Sequence, residues 1–185
     1  DYRRDERSVR DYEVRRVRNE DGAALFTQRA ELPEIADDEG GRARNALVVV
    51  SEKGFEDLTF GTTPESERIR SFAAATDFQS SSLYMFSIPV EDCYEIRLQS
   101  VTVEWDETDS SGRDLHPRAY FCRTYRPADV ACAVGKEHTA GFAIRLPVAA
   151  NHSSGSGSGM ANGCHRTPRR ERFVPSAMSE NGGDG

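Results

Sequence analysis

Four cysteines, Cys93, Cys122, Cys132 and Cys164, and four histidines, His116, His138, His152 and His165, are the side chains of this 185-residue chain best suited to metal binding, redox exchange or cross-linking. A structural zinc site usually brings a short Cys-x₂₋₄-Cys knuckle, and the sequence has none. Cys122 and Cys132 flank nine residues in FCRTYRPADVAC (Phe121–Cys132), too many for a Cys-x-x-Cys redox pair. An even count of cysteines in an exported chain predicts two disulfides. Three connectivities exist. The favoured one joins Cys122 to Cys132 around RTYRPADVA and, by elimination, Cys93 to Cys164, tying the tail to the strand that starts at Cys93. Loop entropy assigns about 2.8 kcal/mol to the short ring and about 4.4 kcal/mol to the long one. The alternatives are four reduced cysteines in a cytosolic core, or a metal. RPAD turns the chain, with Pro127 at the second position of a type I turn. That puts Arg123, Tyr125 and Arg126 on a displayed loop, with the two arginines at its rim, and makes them the candidate interaction residues.

The remaining chemistry is sparse. His116 precedes Pro117 at a strand start and is expected to be exposed. Cys164 and His165 are adjacent, and adjacent residues rarely chelate one ion together. A metal site would have to be assembled in space, for instance from His152, His165 and a carboxylate. Nucleophile elbows, Ser-x-x-Lys and His-Glu-x-x-His are absent, and no Gly-Lys-Ser/Thr phosphate loop occurs. The GSGSG run alternates Ser and Gly without the strand and helix that an elbow requires. DETDSSGRD lacks the spacing and terminal Glu of an EF-hand and reads as a hairpin loop. No catalytic residue and no cofactor are assigned.

Charge narrows the setting. Acids number 31 against 24 bases, for a net charge of −7, and only Lys53 and Lys136 are lysines. An acidic, lysine-poor surface predicts a salt-loving organism, because carboxylates stay hydrated at molar salt while screening removes their mutual repulsion. GC-driven codon bias would replace Lys by Arg as well. Nucleic acid is an unsuitable partner: the net charge repels phosphate, and no basic stripe interleaved with aromatics occurs. The longest apolar run, Ala46–Val50, falls far short of the ~20 residues of a membrane span. The chain opens at Asp1 rather than Met, which fits a removed export signal and leaves a lipid anchor as an option.

Elements must then position these side chains. Residues 1–20, dense in both charge signs, read as a solvated tether, with Tyr12, Val14 and Val17 opening an edge strand near its end. AALFTQRAEL is a strand, LPEIADDEGGRAR a polar connection, and NALVVVS a strand covered on both faces. SEKGFEDLTF starts as a short helix facing Phe55 and Leu58 inward. TTPESERIRSFAAATDF is the best helix. Thr62 or Thr63 caps it, Pro64 lies in the first turn, and Ile69, Phe72, Ala73 and Thr76 form the inward stripe. From Ser82 the period is two. SLYMFSIPV is one strand; in CYEIRLQSVTVEW the apolar set runs Tyr94, Ile96, Leu98, then Val101, Val103, Trp105. The phase flips at Gln99–Ser100, which predicts a bulge. LHPRAYFCRTY returns, with Tyr120 and Cys122 on one face and Phe121 on the other. HTAGFAIRLPV closes the set through Phe142, Ile144, Leu146 and Val148.

The predicted fold is α+β and β-rich: a mainly antiparallel β-sandwich or partly open barrel of about seven strands with one or two inserted helices. The expected layout is a charged N-terminal tether (1–20), a single β-rich domain (21–150), and a flexible Gly/Ser loop and C-terminal tail (151–185) tied back through Cys164. The run ALVVVSEKGFEDLTF, the segment from Arg70 to Val103, AYFCRTYRPADVACAVGKEHTAGFAIRLP and the late GMANGC resemble uncharacterised extracytoplasmic proteins and lipoproteins of halophilic archaea, with four cysteines in comparable places. More distantly, the order VSEKGFEDL, TDF, YEIRLQSVTV, RTYRPADV resembles the small β-rich accessory (PrcB-like) domains of protease complexes. Neither family has a catalytic residue to carry over. The expected function is a non-catalytic, disulfide-stabilised binding or scaffolding domain outside the cytoplasm. Its partner would be a protein at the cell surface or in a membrane-associated assembly. An enzyme or metal protein with a site built from distant residues is one alternative, and a virion or filament building block is another.

Overall fold

The computed structural model describes residues 5–20, 22–28, 45–108, 112–153 and 155–164. In chain order the elements are β1 (Asp5–Val9), β2 (Glu13–Asn19), β3 (Phe26–Gln28), β4 (Asn45–Val49), α1 (Glu52–Glu56), β5 (Leu58–Phe60) and α2 (Pro64–Ala74). They continue with β6 (Ser82–Glu91), β7 (Tyr94–Thr108), β8 (Gly112–Tyr125), β9 (Glu137–Leu146) and β10 (Gly157–Asn162). Two four-stranded sheets form, in the orders β1-β7-β8-β10 and β2-β9-β6-β4, and a two-stranded ribbon pairs β3 with β5. The β-rich α+β sandwich is therefore observed, not closed into a barrel. Its ten strands among the described residues exceed the seven expected.

Alternating side chains explain the layers. Tyr84, Phe86, Ile88 and Val90 of β6 and Phe142, Ile144 and Leu146 of β9 face Ile96, Val101 and Val103 of β7 and Phe121 of β8, forming the inter-sheet core. Phe121 stacks on Phe86, at 4.7 Å, and meets the tilted ring of Phe142 at 4.9 Å. The other face of the β6–β9 sheet buries Leu83, Met85 and Ala143 against Ile69 and Ala73 of α2 and against Leu25, Phe26 and Leu58. This second cover is why β6 and the valine-rich β4 show no polar alternation: each is packed on both faces. Gly141 admits the second layer, because a Cβ there would overlap Leu25 Cδ1 and approach Val17 Cγ2 to 3.1 Å.

The expected bulge is present. Leu98 pairs with Phe121 and Ser100 with Tyr120, so Gln99 is the extra residue that reverses the phase of β7. Helix α2 starts as read, with the Thr63 hydroxyl accepting from the Ser66 amide at 3.2 Å and Pro64 in the first turn. Leu58, expected on the first helix, instead opens β5.

Three readings are corrected. Residues 5–9, placed in a tether, form β1 antiparallel to β7, whereas the edge strand expected around Val14 and Val17 is present as β2, 13–19, against β9. Both are edge strands, where charged side chains are normal because they deter further pairing. The Gly/Ser run is not a flexible loop throughout: β10 lies parallel on β8, with Gly157 beside Arg118 and Gly159 beside Tyr120. A Cβ on these glycines would come within 3.1 Å of Arg118 Nε and 3.2 Å of Tyr120 Cδ1, so the small residues make room for β8 side chains. Parallel pairing, expected nowhere, occurs at that edge. The polar connection expected at 32–44 and the tail beyond Cys164 lie outside the described residues.

Candidate functional site

All four cysteines are disulfide-bonded, but in a different pairing from the one expected: Cys93–Cys132 and Cys122–Cys164. The register of β8 decides this. Cys122 lies inside β8, not in the loop after it, and β10 runs alongside with Ala161 opposite Cys122 and the Gly163 amide bonded to the Arg123 carbonyl at 2.8 Å. Cys164 therefore arrives beside Cys122. The loop that leaves β8 folds instead over the tight turn between β6 and β7, which holds Cys93. The rings span separations of 39 and 42 residues, and each taken alone corresponds to about 4 kcal/mol of loop entropy.

That loop, from Arg126 to Lys136, is stitched down from several sides. Asp92, in the β6–β7 turn, accepts from the Ala133 amide at 2.8 Å and pairs with Arg18, and the Arg126 guanidinium lies 3.6 Å from it. The Asp92 amide donates to the Lys136 carbonyl at 2.8 Å, and the Arg126 amide to the Cys93 carbonyl at 2.9 Å. The Ala133 N–H, followed by Arg18, Arg126 and Lys136, holds the Asp92 carboxyl below its ordinary range. Two turns shape the rest. Val130 N bonds Pro127 O at 2.9 Å, and Lys136 N bonds Ala133 O at 3.2 Å. Pro127 thus stands at the first position of its turn, one place earlier than expected. In the second turn Gly135 takes φ +80°, leaving Val134 at the tip.

The candidate residues divide. Tyr125 is 70% exposed, its ring 4.3 Å from that of Tyr94 and its hydroxyl 2.7 Å from the Tyr94 hydroxyl. That hydrogen bond, then burial, raises the Tyr94 pKa. Arg123 lies 4.5 Å over the Tyr94 ring and donates to Asn162 at 2.9 Å, so it braces Tyr94 and β10. Arg126 turns inward to Asp92 instead of standing at the rim. Val130, 38% exposed, and Val134, 87% exposed, are the members that sequence reasoning missed. With Tyr125 they make three of the five large apolar side chains exposed among the described residues. A valine in a polar loop carries no periodic signal, so only the fold reveals them.

Beneath the loop lies His138, on β9 opposite Val90 and only 1% exposed. Neither ring nitrogen has a hydrogen-bond partner among the described residues. Burial, helped by Arg18, pushes its pKa down to about 4 against the opposing pull of Glu20 and Asp92. The imidazole is neutral at pH 7.

Other recesses are less organised. A cleft of about 610 Å³ between α2 and the β2–β9 edge is lined by Glu13, Arg15, Glu67, Arg68, Phe72 and Arg145. Arg145 stacks 4.3 Å over Phe72, donates to Phe72 O at 2.7 Å and Thr76 Oγ1 at 3.2 Å, and pairs with Glu13. It serves to clamp α2 onto the sheet. His116, expected to be exposed, is half-buried with Nε2 3.1 Å from Asp114 Oδ2. No group of three His, Cys, Asp or Glu side chains able to hold a metal ion occurs among the described residues, and His165 lies outside them. No helix among the described residues is long and apolar enough to cross a membrane. Neither a family model, nor a curated protein, nor a solved structure matches this chain.

Proposed function

We propose that the chain is a non-catalytic, extracytoplasmic binding or scaffolding domain from the cell surface of a halophile, and that a protein partner docks on the loop 126–136 together with Tyr125. The single observation that carries this reading is the exposure of Tyr125, at the end of β8, and of Val130 and Val134 in the loop that follows it, a loop tied down by a disulfide and by Asp92. A loop already held in place loses little further entropy on binding, and an exposed Tyr is a favoured anchor. The matching surface is an apolar depression for the two valines with acidic groups facing Arg123 and Lys136. Two disulfides support a setting outside the reducing cytosol. The acidic, lysine-poor composition and the resemblance to haloarchaeal extracytoplasmic proteins support the halophilic source.

The test is a photo-cross-linking residue placed at Val134, and separately at the exposed Arg97 of β7, in intact cell envelopes. A discrete protein adduct from position 134, lost on Tyr125→Ala and absent at position 97, is expected. Equal adducts at both positions, or none at 134, would overturn the docking assignment.

A further inference from the structure

Of the five asparagines, Asn151 alone is followed two residues later by Ser or Thr, in Asn151–His152–Ser153. Asn-x-Ser with x other than Pro is the acceptor triplet for N-linked glycosylation in exported proteins. We propose that Asn151 carries an N-linked oligosaccharide, transferred from a lipid-phosphate-linked donor outside the cytoplasm. The inference rests on the extracytoplasmic reading above.

The local geometry accommodates the sugar. Asn151 is exposed, in the connection between β9 and β10. The backbone around it is fastened to β8. Asn151 N donates to Arg113 O at 2.9 Å, Leu115 N to His152 O at 3.0 Å, and Ser153 Oγ to Leu115 O at 2.6 Å. The carboxamide is held through its oxygen, which accepts from Arg113 N at 2.9 Å. Glycosylation takes place at the other end of the amide, on Nδ2. That nitrogen attacks the anomeric carbon, the bond from this carbon to the phosphate oxygen breaks, one Nδ2 proton passes to the transferase, and the lipid phosphate leaves with the bonding pair. Oδ1 stays an acceptor afterwards, so the Arg113 bond survives. Gly112 lies alongside, and a Cβ there would overlap Asn151 Oδ1 and come within 3.0 Å of Nδ2. The glycine thus leaves the carboxamide its room. Because Ser153 and Asn151 are both engaged with β8 in the finished fold, transfer precedes the docking of this segment.

Position also agrees with the docking surface. Asn151 sits at the Gly112 end of β8 and the loop leaves from Tyr125 at the other end, about 40 Å away at a strand rise of about 3.3 Å per residue. A glycan on Asn151 leaves the loop clear.

The test is peptide mapping of the full-length protein purified from the cells that naturally make it. Cysteines are alkylated before and after reduction, and the tryptic peptide Leu146–Arg166 is fragmented. Expected is a mass shift of sugar residues localised to Asn151, retained in Ser153→Thr and lost in both Asn151→Gln and Ser153→Ala. The Ser153→Ala variant keeps the Asn151–Arg113 bond, so formed disulfides in it separate loss of the sugar from loss of the fold. An unmodified Asn151, or sugar on a serine of this peptide, in protein whose disulfides are formed overturns the glycan and leaves export standing. An unmodified Asn151 alongside free thiols overturns both.

Discussion

Protonating His138 would set a cation beside Arg18 and Arg126 in a buried site, with Asp92 and Glu20 offsetting it in part. Its folded pKa, about 4, lies below the ordinary 6.5, so the unfolded chain takes up the proton first. The stability this neutral histidine protects is fully present above about pH 6.5 and is lost as pH falls towards 4, at no more than about 1.4 kcal/mol per pH unit. Urea midpoints measured across that range should therefore decline in the native protein and run flatter in His138→Leu. An equally steep decline in the variant would remove His138 as the cause. Asp92 acts in a lower window. Its carboxyl is depressed by the Ala133 amide first, so its contribution persists above the ordinary carboxylate range and fails only in stronger acid. Gly141→Ala tests the packing of the second layer: the new methyl meets Leu25 and Val17, and overpacking of this kind costs about 1–3 kcal/mol, readable by denaturant titration.

Among the elements, the two disulfides restrain separate pieces. Removing Cys93–Cys132 as the double serine variant should lower stability by about 2–4 kcal/mol and raise amide exchange in residues 126–136 while β10 stays protected. Removing Cys122–Cys164 should release β10 and leave the loop protected; matching exchange patterns in the two variants would contradict this division. At the start of α2, Thr63→Ala should cost about 1 kcal/mol through the lost cap to Ser66, measured by thermal melting. Elements with a long apolar run, a strong period or real caps were legible in the sequence: β6, β7 with its phase flip, β9 and α2. Those defined by a neighbour were not. DERSV and GSGMAN have no apolar stripe, and they become strands only because β7 and β8 present open edges to pair with. The same limit governs the site. Tyr125 could be singled out from sequence, whereas Val130, Val134, Asp92 and His138 acquire their roles from a turn and a strand 30 or more residues away in the chain.

For the whole molecule, the net charge of −7 sets the response to salt. Repulsion among carboxylates is felt over a screening length of about 10 Å at 0.1 M salt and about 3 Å at 1 M. The unfolding midpoint should rise as salt is taken from dilute to molar concentration; a midpoint that falls would count against a halophilic origin. Intact mass before and after reduction checks the compartment: with both bridges formed, the reduced protein gains four hydrogens.

The bridges interleave along the chain, 93 to 132 enclosing 122, and 122 to 164 enclosing 132. In an unfolded chain, random encounter favours the close pair Cys122 and Cys132 over the native Cys93 and Cys132 by roughly eightfold. Oxidation ahead of assembly would therefore seal the wrong ring and trap the chain with β10 adrift. The order of events is thus set by topology: β8 must meet β10, and the loop must fold over the β6–β7 turn, before the sulfurs commit. Refolding under reducing conditions followed by oxidation should recover more native protein than oxidation in denaturant, with a thiol–disulfide isomerase narrowing the gap.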